Sequence, residues 1–78
     1  MKQNQRNVLF KARRCLKASY QQLSEIITDE FWIENPGGWE GGPPVNESPM
    51  RKRWSIALCC MAAALEQVNL SLGMPRDS

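Results

Sequence analysis

An all-α antiparallel hairpin of two helices is the fold class this sequence predicts, and three observations predict it. Four of the five glycines and three of the five prolines lie between Asn35 and Pro44, while residues 5 to 32 contain neither type. Apolar residues on both sides of that cluster recur at three- and four-residue spacing, the period of an amphipathic helix. Charge is also arranged in blocks that an antiparallel hairpin brings together.

The first helix is expected over about 5–32, with Leu9, Ala12, Leu16, Leu23 and Ile26 as its stripe and Val8, Cys15, Tyr20 and Ile27 widening it. Ala12 and Ser19 are small enough to let a neighbouring helix come close. A loop follows over about 33–48, longer than the roughly two to eight residues usual between packed helices. The second helix is expected over about 49–72. Ser48 suits its N-cap, Pro49 its first position, and Gly73 with Pro75 its end. Within it Trp54, Leu58, Met61, Leu65, Val68 and Leu72 alternate by four and three, the spacing of a helix-packing seam. Ile56, Cys59, Ala63 and Leu70 form a weaker apolar row on the opposite side, so this helix asks for two neighbours. One domain spans residues 1–78, its ends at 1–4 and 75–78 expected to fray. Two hairpins meeting as a four-helix bundle is the expected assembly, because 78 residues bury too little surface to be firmly stable alone.

Lys2, Arg6, Lys11, Arg13, Arg14 and Lys17 fill the first twenty residues with no acid among them. Glu25, Asp29, Glu30, Glu34, Glu40 and Glu47 follow with no base, and then Arg51, Lys52 and Arg53. Folding back sets the acids of the first helix beside the bases that open the second. The N-terminal bases are left over. Arg6, Arg13 and Lys17 fall on one strip around Phe10, which reads as a solvated face, as a contact for an acidic protein surface anchored by Phe10, or as a nucleic-acid contact. A net charge of +2 and the absence of a short helix-turn-helix spacing weigh against the last. Trp39, flanked by glycines and beside Glu40, either caps the open end of the hairpin or is presented to a target.

Chemistry is poorly supplied. Histidine is absent, and no serine or cysteine has a general base at suggestive spacing, so no enzyme activity is expected. Three cysteines without histidine make no zinc set, and no metal or cofactor is expected. Cys15, Cys59 and Cys60 read as small, reduced, buried apolar residues of a cytoplasmic protein, since no apolar leader segment opens the chain. The apolar run from Ile56 to Leu65 is too short to span a bilayer.

In layout the chain resembles the small phage-encoded helical proteins that bind and inhibit host proteins, among them anti-CRISPR proteins, quorum-sensing anti-activators and inhibitors of pilus motors. The resemblance rests on the two helices, the Gly/Pro loop and the unpartnered apolar and basic-aromatic surfaces, with no single diagnostic position. It implies stoichiometric inhibition by binding a larger host protein, and homodimerisation. The expected contact residues are Arg6, Phe10, Arg13, Lys17 and Trp39; the dimer and core residues are the two rows of the second helix. A nucleic-acid-binding regulator using the basic helix, or a structural subunit of a larger assembly, are the alternatives.

Overall fold

The computed structural model describes residues 1–37 and 46–78, and it is an antiparallel hairpin of α1 (Gln3–Glu34) and α2 (Pro49–Ser71). Both helices run as the periodicity predicts, with α1 longer by about a half turn at each end. Gln5 extends its start by accepting the Lys2 N–H at 2.9 Å. For α2 the punctuation acts as read: the Ser48 hydroxyl accepts the Arg51 N–H at 3.1 Å, with Pro49 at the first position. At the other end Gly73 adopts φ +74°, and the Met74 and Gly73 N–H groups close back on the carbonyls of Asn69 (2.9 Å) and Leu70 (3.1 Å). That pair of bonds is a Schellman cap, which needs a residue free of a Cβ at the turn.

The rod measures 53 × 19 × 15 Å, so its core is a single seam. On α2, Trp54, Leu58, Met61, Leu65 and Val68 are half-buried along it and Leu72 is buried. On α1 the seam is Leu9, Leu16, Tyr20, Leu23, Ile27 and Phe31, all half-buried. Ile26, expected in the stripe, is instead 50% exposed, and Val8 is 66% exposed. The reason is that the four-three alternation of α1 runs through polar positions: Arg13 continues the row of Leu9 and Leu16, and Glu34 continues that of Ile27. Among the described residues Leu72 is the one hydrophobic residue that is buried, at 7% exposure.

Polar clasps close the seam at each end. At the loop end the Arg51 side chain, 9% exposed, donates from Nε to the Glu34 carboxylate and from its guanidinium to the Asn46 carbonyl at 2.6 Å. It also lies over the Phe31 ring, 5.4 Å from the centroid. Glu34 Oε1 accepts the Ser48 N–H at 2.6 Å, and Asn35 brackets Asn46 by donating to its carbonyl (3.1 Å) and accepting its N–H (3.3 Å). The far end is held by Asn69, 0% exposed. Its Oδ1 accepts Arg13 Nε at 2.8 Å, and its Nδ2 donates to the carbonyls of Arg76 (3.2 Å) and Ser78 (3.1 Å). Residues 75–78, expected to fray, are therefore folded back onto α2.

The charge blocks do less than the sequence suggests. Of the acids on α1, Glu34 alone forms an ion pair among the described residues, with Arg51; Glu25, Asp29 and Glu30 do not reach Lys52 or Arg53. Hydrogen bonding from Ser48 leads the causes that hold the Glu34 carboxyl below its ordinary value of 4.5; burial opposes it, and the Arg51 guanidinium adds to the lowering. A lowered carboxyl contributes stability that is complete above its ordinary value and is lost as pH falls through the folded one. Thermal unfolding is accordingly expected to shift to lower temperature from about pH 5 to about pH 3. Glu34→Gln should be less stable at neutral pH and flatter across that interval. An acid slope as steep in Glu34→Gln as in the parent would assign the effect elsewhere.

Candidate interaction surfaces

Side chains expected to meet a partner fall in four different situations. Phe10 is 38% exposed, and the Arg6 guanidinium sits over its ring, 5.6 Å from the centroid. Two turns on, Lys17 is half-buried on the same flank. Neither Arg6 nor Lys17 forms an ion pair among the described residues. Arg13, grouped with them by the sequence, belongs to the hairpin instead, because its Nε is held by buried Asn69. Trp39, with Glu40, lies in 38–45, outside the described residues.

The two rows of α2 divide as their spacing predicts. Trp54, Leu58, Met61, Leu65, Val68 and Leu72 face α1, while Ile56 (58% exposed), Cys59, Ala63 and Leu70 (48% exposed) face outward. Ile56, Cys59 and Ala63 of the outer row line a shallow apolar groove of about 400 Å³ together with Lys52, Ser55 and Cys60. Lys52, Ser55 and Cys60 were not legible as a site, since in sequence they read as one basic residue, one polar residue and one core thiol. All three cysteines are exposed in the hairpin, which corrects the expectation of buried packing residues. The helix has too few neighbours to cover them. Cys59 and Cys60 lie on the outward side, away from the one seam that exists.

A second hollow of about 280 Å³ opens where the helices meet the loop, lined by Ile27, Thr28, Phe31, Trp32 and Arg51. Trp32 is 49% exposed there, its ring edge-on to Phe31 at 5.1 Å between centroids. No group of three or more metal-ligating side chains gathers among the described residues, and no described helix is long and apolar enough to cross a membrane. No protein-family model, curated protein or solved structure matches this chain.

What these surfaces offer is contact. The flank of Arg6, Phe10 and Lys17 combines a half-exposed aromatic ring with cations that have no acid of their own. The outer groove of α2 is apolar with a cation, Lys52, at one end.

Proposed function

We propose that this chain is a protein–protein interaction module, a stoichiometric inhibitor or regulator that binds a larger protein and occludes part of its surface. The observation that carries this reading is the Arg6–Phe10 stack on a flank of α1 whose cations form no ion pair among the described residues. An aromatic anchor ringed by arginine and lysine suits an apolar pocket with an acidic rim. The small outward residues of α2, Cys59 and Ala63 beside Ile56, supply a second, apolar strip for the same kind of partner. A phage inhibitor of a host protein, acting in the cytoplasm as a homodimer, is the specific form of this proposal.

The test is affinity purification of the tagged chain from its native host, followed by measurement of the isolated pair. Phe10→Ala and Arg6→Glu are each expected to weaken binding by roughly tenfold or more, as hot-spot truncations do. Arg13→Glu is unsuitable for this purpose, because it also breaks the Asn69 clasp. A partner bound equally well by both variants would displace the contact from this flank. Nucleic acid is the second reading, favoured by the acid-free run from Lys2 to Lys17. Salt separates the two: several phosphate contacts would make affinity fall steeply with ionic strength, whereas an aromatic-centred protein contact would lose far less.

A further inference from the structure

We propose that two copies of this chain pair through the flank of α1 opposite Phe10, with their α1 helices antiparallel. That flank carries a second four-three row that the hairpin leaves uncovered. Val8 (66% exposed), Ile26 (50%) and Ile33 (70%) lie on it, with exposed Cys15 between them. Helical periodicity puts the small, exposed residues Ala57, Cys60 and Ala64 of α2 on the same broad side, where they let a second copy approach closely. Extents of 53 and 19 Å make this side large enough to bury the roughly 800 Å² per partner of a standard interface.

Charge selects the orientation. The first half of α1 is basic and its second half acidic, and among the described residues only Glu34 of those acids forms an ion pair. Parallel pairing would stack like charges along the whole helix, whereas antiparallel pairing sets base against acid throughout. A single two-fold register satisfies both demands. With Ser19 and Gln22 at the two-fold axis, Val8 falls opposite Ile33 of the second copy and Cys15 opposite its Ile26. In that same register Lys11 comes within one residue of level with Asp29 on the outer edge, and all of these contacts occur twice because the interface is isologous. Lys11 and Asp29 are exposed and form no ion pair among the described residues, so both are available for it. The pairing uses one flank of α1 and the Phe10 contact uses the other, so target binding and self-association can fail independently.

Sedimentation or light scattering of the full chain under reducing conditions tests the proposal. The expected mass is about twice 8.9 kDa. Ile26→Glu should return the chain to monomer while its helical circular dichroism is retained, since this side chain is half exposed in the hairpin. Lys11→Glu and Asp29→Lys should each weaken the dimer by roughly tenfold, because each sets like charges face to face at two related contacts. Combining them should restore the parent affinity to within about threefold, a recovery that a merely structural role for either residue would not produce. Four outcomes would overturn the proposal: a parent that stays near 8.9 kDa, a dimer that survives Ile26→Glu, a dimer abolished by Ile56→Glu instead, or a double variant no tighter than its singles.

Discussion

Asn69→Asp is expected to destabilise the hairpin by about 2 kcal/mol and to release residues 74–78 from α2. Asparagine is used here in both its capacities. Its carbonyl oxygen accepts Arg13 Nε at 2.8 Å, and its amide nitrogen donates to the carbonyls of Arg76 and Ser78 at 3.2 and 3.1 Å. Aspartate has nearly the same shape and can still accept from Arg13, but it has no N–H to donate. Two backbone carbonyls would then face a carboxylate oxygen at a position that is 0% exposed, where neither water nor a rotamer change relieves the conflict. Asn69→Leu should cost a similar amount for the complementary reason, since it leaves the half-buried Arg13 without an acceptor. Urea denaturation gives the magnitude. Hydrogen exchange at the Met74 N–H, which donates to the Asn69 main-chain carbonyl in the helix cap next to the tail, reports whether release of the tail loosens that cap. An Asn69→Asp chain within about 0.5 kcal/mol of the parent, with Met74 still protected, would mean that this amide does not hold the end of the hairpin.

The residues at the two clasps are the ones the sequence conceals. Element order, the Ser48 cap, the Gly73 stop and the inward row of α2 follow from spacing and turn chemistry, because each depends on neighbours within a few positions. The register of α1 does not. Its seam passes through Arg13 and Glu34, and a reading that follows hydrophobicity alone replaces them with Val8 and Ile26, which the hairpin leaves exposed. Asn69 likewise reads as an ordinary polar residue near a helix end, although its three side-chain bonds run to Arg13, Arg76 and Ser78. Long-range partners of this kind are set by the meeting of two helices and leave no local signature. The exposed state of Cys15, Cys59 and Cys60 is hidden from the sequence for a related reason. Apolar character predicts that a residue wants cover, and two helices cannot cover three faces.

The same argument gives the Phe10 flank its interest. Arg6, Phe10 and Lys17 were grouped with Arg13 by periodicity, and the structure divides that group into one residue used by the fold and three that the fold does not use. Those three remain the better markers of a contact surface, because among the described residues no ion pair ties Arg6 or Lys17 to the hairpin.

Arg51→Met should lower the melting temperature by on the order of 10 °C. Arg51 lies in the first turn of α2, where a cation opposes the helix dipole, and it is only 9% exposed. It is tolerated there because three groups converge on it: the Glu34 carboxylate, the Asn46 carbonyl at 2.6 Å and the face of Phe31 at 5.4 Å. Methionine keeps much of the side-chain volume against Phe31 but takes one donor from each acceptor, leaving the carboxylate with the Ser48 N–H alone and the carbonyl with the Asn35 amide alone. Arg51→Lys should recover little, because a single ammonium cannot reach both acceptors in the planar geometry of the guanidinium. The decisive variant is Glu34→Leu combined with Arg51→Met. Removing both charges leaves no uncompensated carboxylate but also takes the acceptor from the Ser48 N–H, so part of the lost melting temperature should return. Recovery in the pair with loss in each single would show that this clasp works by mutual satisfaction, and that its service to the hairpin is to fix which residues of α1 and α2 stand opposite one another. Equal loss in the single and the double variant would point instead to the Asn46 carbonyl and the Phe31 stack as the contacts that matter.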